Sequence, residues 1–380
     1  MTGHIRRRGK NSFELKFDAG RDPATGKRRI RYHSFKGGKR AAELELVRLV
    51  AEHDAGNSVD PSRVTVAEFF DRWDRDWASA NVSPKTLERY RQIARLQIKP
   101  HVGNLAIQKL RPLHLADLYA KLGRGEKALA ARSVGHVHRL IHRVLRHAAA
   151  WGVVTQNVAA HVQPPTVDET EISILTEDQI GRVLDHLQGR TLRPIVSLAL
   201  VTGMRRGELL ALRWKDADLD SGMITVARSL EQTKGSLRFK GPKTKHGRRK
   251  ISIPPWMVAE LRAHKARQQE LRLRLGMGRA PDDSLVFAKW NGAPRAPHPV
   301  SQKFRMAMAA LKIEGVTFHS LRHFHASALI ASGMDVLTIS RRLGHGSPVI
   351  TLKTYGHLFS NTDARAAEIM QAAFAKARTE

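Results

Sequence analysis

Three separated stretches of the sequence hold a tyrosine, two arginines and two histidines that could act together on one phosphate group. They read TGMRRGELLALRW from residue 202, HSLRH from residue 319 and LGHGSPVITLKTYGHL from residue 343. The residues concerned are Arg205, His319, Arg322, His345 and Tyr355. His319 and Arg322 stand at i and i+3, a spacing that places both on one face of a helix.

Attack by a tyrosine oxygen on a DNA phosphodiester is a reaction that suits this set. Negative charge builds on the non-bridging oxygens in the transition state, and guanidinium groups such as those of Arg205 and Arg322 can hold it. The phenol of Tyr355, with an ordinary pKa of about 10, needs a nearby imidazole or cationic cluster to lose its proton at neutral pH. We predict His319 and His345 for that task.

The leaving 5′ oxygen needs a proton, and a lysine in a basic hairpin could supply it. Residues 234–250 hold eight Lys or Arg and no acid. We predict Lys243 as the general acid, with Lys245 as the alternative. Most lysines in such a run simply contact phosphate.

The chain contains no cysteine, which excludes disulfides, thiol nucleophiles and zinc held by cysteine. A zinc cluster of His319, His323 and His325 is a second interpretation. It lacks a suitable fourth ligand, and the interleaved Arg322 would repel a cation. We therefore expect neither a metal nor a cofactor.

The charge balance predicts a polyanionic partner. The 380 residues include 65 Lys and Arg against 35 Asp and Glu, a formal net charge of +30. Self-repulsion on that scale is tolerated when a polyanion offsets it, and double-stranded DNA is the first candidate. The sequence contains no apolar run of the kind found in a signal peptide or a membrane span. We therefore expect no membrane partner and a cytoplasmic, nucleoid-associated protein.

The first half of the chain predicts a small sheet followed by helices. Residues 11–17 and 28–35 alternate as strands do, are rich in basic residues, and precede a helical pattern. Thr65 and Glu68 form a capping-box pattern, after which only helices are expected up to about residue 163. The overall prediction is a mainly α protein with small antiparallel sheets (α+β) and several domains.

The second half begins after a linker that starts with Pro164 and Pro165, which stop a helix. A second capping-box pattern, Thr176 with Gln179, restarts the helices. Apolar residues alternate within 223–253 and predict a small antiparallel sheet with a β-hairpin.

The segment from His345 to Tyr355 cannot be one straight helix if both side chains serve the same phosphate. Ten residues at about 1.5 Å each would separate them by roughly 15 Å. We predict that the helix begins after His345, with Ser347 as its cap and Pro348 in its first turn, and that the chain turns near Tyr355 and Gly356.

Together these stretches resemble the tyrosine recombinases, also called phage-type integrases. TGMRRGELLALRW resembles the family's first arginine box, which implies Arg205, and HSLRH resembles its His-x-x-Arg box at His319 and Arg322. LGHGS and TYGHL are similar to the segments that carry the second histidine, His345, and the nucleophile, Tyr355. PKTKHGRRKISIP resembles the hairpin that carries the family's lysine, which implies Lys243.

The resemblance also implies a domain order. We predict an arm-type DNA-binding domain at 1–58, a helical core-DNA-binding (SAM-like) domain at 62–163, a linker at 164–172 and a tyrosine recombinase catalytic domain at 173–380. The catalytic domain is expected to mix helices with a β-hairpin. These boundaries follow the family's architecture together with charge and helix patterns.

The resemblance implies a site-specific recombinase, an integrase of a mobile genetic element. Tyr355 would attack the scissile phosphate to give a 3′-phosphotyrosyl link and a free 5′ hydroxyl, without ATP or a metal. Two strand exchanges through a Holliday junction would complete recombination. The expected partners are core and arm sites on double-stranded DNA, three further copies in a homo-tetramer, and accessory proteins that bend DNA or set direction.

Two other functions use parts of the same pattern. A type IB topoisomerase-like enzyme shares the chemistry but religates the same strand, and the arm-like N-terminal module favours recombination over it. A non-catalytic DNA-binding regulator would have no need of a tyrosine with two arginines. A transposase that uses carboxylates and a metal would need an acidic triad, and none appears where the basic residues concentrate.

Overall fold

A computed structural model gives the arrangement of the chain. It describes residues 3–21, 26–54, 59, 61–167, 173–241, 247–359, 367, 368, 370–372 and 374. The described chain is mainly helical with small antiparallel sheets, which confirms the predicted fold class. It forms two compact units, Met1–Asp168 and Glu169–Glu380. The finer division into arm, core-binding and catalytic domains remains a prediction.

The N-terminal part is an antiparallel sheet with one helix. Its elements are β1 (Gly3–Gly9), β2 (Ser12–Arg21), β3 (Arg28–Lys36) and α1 (Lys39–Asp54). β2 is the central strand, and its alternate residues Phe13, Leu15 and Phe17 form a small core with Ala42 and Leu46 of α1. The predicted strands correspond to β2 and β3, whereas β1 was not predicted.

Helices follow, as predicted. They are α2 (Val66–Trp73), α3 (Ser79–Asn81), α4 (Pro84–Ile93), α5 (Lys99–Val102), α6 (Pro112–Leu122) and α7 (Ala131–Ala150). The capping box at the start of α2 is confirmed, because Thr65 accepts from the Glu68 N–H while the Glu68 carboxylate accepts from the Thr65 N–H. Phe69 and Trp73 of α2 lie in the core of this helical part.

The second unit holds the three stretches that carry the chemistry. Its elements are α8 (Glu177–His186), α9 (Arg193–Thr202), α10 (Arg206–Leu209), β4 (Ala217–Asp218), β5 (Met223–Val226), β6 (Ser229–Thr233), β7 (Ser236–Lys240), β8 (Arg249–Ser252), α11 (Pro255–Arg274), α12 (Pro297–Ala310), α13 (Ser320–Ala331), α14 (Val336–Leu343) and α15 (Pro348–Tyr355).

Two small sheets lie in this unit, where the alternating apolar residues predicted one small antiparallel sheet with a β-hairpin. β5 pairs with β4 and β8, with Ile224 opposite Ile251, and β6 pairs with β7 as a hairpin. The second predicted capping box, Thr176 with Gln179, opens α8. Among the described residues, no helix has the length and apolar character needed to cross a bilayer.

The core of this unit fixes the helices that bear the site. α9 is buried along nearly its whole length, and α13 and α11 pack against it. A second cluster, formed by Ala326, Ile330, Ile339, Leu343 and Tyr355, joins α13, α14 and α15. The packing therefore brings the end of α9, the start of α13 and the end of α15 towards one another.

Candidate active site

Arg205 is positioned by a sharp turn after α9. Gly203 caps the helix in the left-handed conformation at φ 61°. An added Cβ there would lie 2.6 Å from the His325 ring and 2.8 Å from Leu343, so only glycine fits. The chain then enters α10 with Arg205 as its N-cap residue, and one Nη of Arg205 donates to the Gly344 carbonyl at 3.2 Å.

Glu208 fixes the position of Arg205 through two hydrogen bonds. Its buried carboxylate accepts hydrogen bonds from the Arg205 backbone N–H and from Arg205 Nη1, each at 2.9 Å. It also accepts from Arg249 Nη2 at 2.9 Å. Burial raises the pKa of Glu208, but the charge and hydrogen bonds of Arg249, followed by those of Arg205, outweigh it and leave the pKa below its ordinary value.

Arg249 links this ion pair to the loop that precedes α15. Its Nε donates to the Arg342 carbonyl at 2.7 Å, so the first residue of β8 is tied to the end of α14. Gly344 then turns the chain at φ 69°, and an added Cβ would lie 2.7 Å from Arg249 Nη1. We expected most lysines of the basic stretch 234–250 to contact phosphate, whereas Arg249 in the same stretch is a structural residue whose side chain is 7% exposed.

Arg322 lies on the first turn of α13 and is 3% exposed. Its Nη1 donates to the Gly203 carbonyl at 2.7 Å, which joins α13 to the turn that carries Arg205. Its Nη2 is buried and has no hydrogen-bond partner within the described chain. Burial, and then the charge of Arg205, lower its pKa to about 9, so the side chain is still cationic at neutral pH.

Tyr355 is the last residue of α15, where the helix gives way to a 3₁₀ turn from Gly356 to Leu358. The helix begins as predicted, with Ser347 as its N-cap and Pro348 in its first turn. The side chain is only 2% exposed, and its hydroxyl hydrogen-bonds His323 Nδ1 at 2.8 Å. Burial raises the pKa of Tyr355, and the charge of Arg322 partly opposes that rise.

His345 follows the Gly344 turn and is fixed from α15. Its Nδ1 forms a hydrogen bond with the hydroxyl of the fully buried Thr351 at 2.8 Å. Partial burial, and then the positive charges of Arg322 and Arg205, lower the pKa of His345 to about 4. The imidazole is therefore neutral at physiological pH, and those charges bear on it because it lies close to both arginines.

His319 is the residue directly before α13, and its side chain makes no capping hydrogen bond to that helix. Its ring lies edge-on to that of His323, with 4.8 Å between the ring centroids. Desolvation of the ring, followed by His323 and Arg322, lowers its pKa. The residue is nevertheless exposed, so water screens part of that effect.

The second unit thus brings five predicted residues together: Arg205, His319, Arg322, His345 and Tyr355. Hydrogen bonds, ring contacts and mutual charge effects link all five. Lys243 and Lys245 lie outside the described residues, so their assignment stays a prediction.

The zinc interpretation conflicts with the position of His325. Its Nδ1 donates to the Leu200 carbonyl at 2.8 Å, and Arg342 Nε donates to its Nε2 at 3.1 Å. Both ring nitrogens are thus occupied, which leaves none for a metal. Across the described residues, no three His, Asp or Glu side chains gather as a metal site.

Sequence reasoning missed His323 as the hydrogen-bond partner of Tyr355, and it did not foresee the role of Arg249. His323 directly follows Arg322, and its position at i+1 turns it to a different helix face. The packing of α15 on α13 decides which side chain meets the phenol.

Two family models match the chain. One, the phage integrase family, covers residues 173–362, and the other, an N-terminal SAM-like domain of phage integrases, covers residues 65–123. The chain belongs to the phage integrase family. The first match includes every residue of the site described above.

Two relatives match the chain over nearly its whole length. A tyrosine recombinase XerC-like protein of Caldanaerobacter subterraneus is 26% identical over 384 residues, covering 96% of this chain and 97% of the relative. The ICEBs1 integrase of Bacillus subtilis is 27% identical and covers 94% of this integrase-family chain and 96% of the relative.

Solved structures of integrases share the fold. The Tn1549 transposon integrase in complex with a circular intermediate DNA is 21% identical, with a TM-score of 0.67 over 81% of this chain and 99% of that one. A lambda integrase dimer bound to a core site is also 21% identical, with a TM-score of 0.59 over 92% and 93%. A lambda integrase tetramer bound to a Holliday junction gives a TM-score of 0.54 over 90% and 96%.

Proposed function

We propose that this member of the phage integrase family is a site-specific DNA recombinase in which Tyr355 is the nucleophile. The observation that carries the proposal is the convergence of Tyr355 with two arginines and two histidines from three separate stretches of the chain. A phenol held among cations is the arrangement that attack on a phosphodiester requires.

Arg205 and Arg322 would bind the non-bridging oxygens of the scissile phosphate. Arg322 Nη2, buried without a partner in the described chain, is a donor available to an acceptor that DNA would bring. Glu208 and the Gly203 carbonyl set the directions of the two guanidinium groups. Because both arginines are fixed before DNA binds, they need little reorganisation in the transition state.

Neutral His345 and His319 would complete the phosphate site as hydrogen-bond donors. With a pKa of about 4, His345 offers a ring N–H without adding another positive charge. Attack by Tyr355 gives a 3′-phosphotyrosyl bond, and the departing 5′ oxygen takes its proton from Lys243. The phosphodiester bond energy is kept in the new ester, so the strand can be rejoined to a different 5′ hydroxyl.

The proposed partner is double-stranded DNA, bound by four copies of the chain at two core sites. The net charge of +30 suits that polyanion. The structures of lambda integrase bound to a core site and, as a tetramer, to a Holliday junction support this assembly for a chain of the same fold. We also propose that residues 1–58 bind arm sites and that accessory proteins take part. The proposed location is cytoplasmic and nucleoid-associated.

A strand-exchange assay separates this function from its alternatives. Two duplexes of different length that carry candidate sites from the DNA flanking the gene are incubated with the protein in EDTA. A recombinase gives recombinant lengths, and Tyr355→Phe abolishes them. Relaxation of supercoiled DNA without recombinants would indicate a topoisomerase. Tight binding of these sites without any cleavage would indicate a regulator.

A further inference from the structure

The phenol of Tyr355 has one hydrogen-bond partner in the described part of the chain, Nδ1 of His323 at 2.8 Å. The two rings meet edge to face with 5.7 Å between centroids. Tyr355 is buried in the cluster that joins α13 to α15, and His323 is a half-buried residue of α13. The contact therefore belongs to the packed fold and does not depend on DNA.

Neither of the two histidines predicted to assist the phenol is hydrogen-bonded to it in the described chain. His345 Nδ1 is hydrogen-bonded to Thr351, and the ring of His319 lies edge-on to that of His323. A general base must lie within hydrogen-bond reach of the proton that it removes. Among the described residues, His323 meets that condition.

We propose that His323 is a further catalytic residue, the general base that takes the phenol proton of Tyr355. This inference rests on the proposed function. In cleavage, the O–H proton moves to His323 Nδ1 and the freed oxygen lone pair forms the bond to phosphorus. The bond from phosphorus to the 5′ oxygen breaks, and that oxygen keeps the electron pair and takes a proton from Lys243. In rejoining, every transfer runs in reverse.

The surroundings suit a base that holds its proton briefly. Burial, and then the charge of Arg322, lower the pKa of His323, so the ring is neutral before the reaction. His319 beside it adds no counter-charge. An imidazolium next to Arg322 is unfavourable, which favours return of the proton to the phenol oxygen when the strand is rejoined.

A purely positioning role is the competing explanation, and His323→Asn separates the two. The Asn side-chain oxygen can occupy the place of Nδ1 and accept the hydrogen bond, but it cannot take up a proton at neutral pH. His357→Asn is the matched control, because His357 is an exposed residue two positions after Tyr355.

The cleavage test uses nicked substrates with either an ordinary phosphodiester or a bridging 5′ sulfur at the scissile position. A thiolate leaves without a proton, so the sulfur substrate restores a variant that lacks the general acid but not one that lacks the base. We expect His323→Asn to lose about 10²–10⁴-fold in rate on both substrates, with His357→Asn unchanged. Wild-type rates for His323→Asn, or recovery on sulfur, would overturn the assignment.

A second readout needs no DNA. With ¹⁵N-histidine label, Nδ1 of His323 should give the resonance of an unprotonated ring nitrogen, and Tyr355→Phe should shift it. A protonated Nδ1 would overturn the inference. If the wild-type protein forms no adduct on either substrate, the proposed function fails instead, while the spectrum still decides the direction of the hydrogen bond.

Discussion

Replacing Glu208 by Gln tests how the arginine cluster is held together. The carboxylate is 7% exposed and accepts one backbone and two guanidinium hydrogen bonds. Gln keeps the volume but removes the charge and turns an N–H₂ group towards cationic donors. The two arginines respond differently, since the Arg205 side chain is 43% exposed and can rehydrate, whereas Arg249 is 7% exposed and cannot.

The expected loss in the free energy of unfolding comes mainly from Arg249, which would be left without its buried partner. Leaving one member of a buried ion pair without its partner costs about 3–5 kcal/mol. The exposed pair of Glu270 and Arg274 on α11 gives the matched control, because such an i,i+4 pair contributes about 0.3–0.5 kcal/mol. We therefore expect Glu208→Gln to lower the free energy of unfolding several-fold more than Glu270→Gln.

Hydrogen exchange measured by mass spectrometry suits a chain of two compact units, because it reports on each separately. Under native conditions, peptides from α9 and β8 should lose protection in Glu208→Gln by the amount given above, and those from α7 should not. A loss below about 1 kcal/mol would refute the view that Glu208 holds the two arginines in place.

Three other changes test neighbouring parts of the site. Arg322→Lys keeps the charge but loses the planar donor pair, so DNA cleavage should slow by about 10²–10³-fold in a gel assay. A loss below tenfold would contradict the proposed role of Arg322 in binding the scissile phosphate. Gly203→Ala should destabilise the chain in urea more than Gly189→Ala does. Both glycines have positive φ, but an added Cβ at Gly203 would lie 2.6 Å from the His325 ring, whereas one at Gly189 would meet nothing within 4 Å. Equal losses would contradict that packing argument. Burial of neutral His325 lowers its pKa from 6.5 to about 4. As the pH falls from 6.5 to 4, the unfolded ring takes up a proton that the folded ring does not, so the free energy of unfolding should fall by on the order of 3 kcal/mol. His325→Gln should flatten this dependence in urea titrations at each pH, and an unchanged slope would exclude His325 as its source.

The sequence was most informative where local chemistry decides local structure. The capping pairs at Thr65 and Thr176 and the start of α15 at Ser347 were predicted because a side chain bonds its own helix end. β1 was not predicted. It is an edge strand whose residues are exposed except for partly buried Ile5, so no apolar alternation marks it.

The contacts that complete the site depend on packing between distant segments. Arg249 stands in a basic run, and nothing in that run distinguishes it from neighbours that face solvent. Its burial follows from the approach of β8 to α10 and α14. The pairing of His323 with Tyr355 likewise depends on how α15 lies against α13, which local patterns do not specify.

Whether Tyr355 is the nucleophile is tested most directly by identifying the residue that carries DNA in the covalent complex. The protein is incubated with a nicked suicide substrate in EDTA, the adduct is isolated under denaturing conditions and digested, and the DNA-linked peptide is sequenced by mass spectrometry. We expect a nucleotide joined through its 3′ phosphate to Tyr355, and no adduct in Tyr355→Phe. A nucleotide on another residue, or an adduct that persists in Tyr355→Phe, would contradict it.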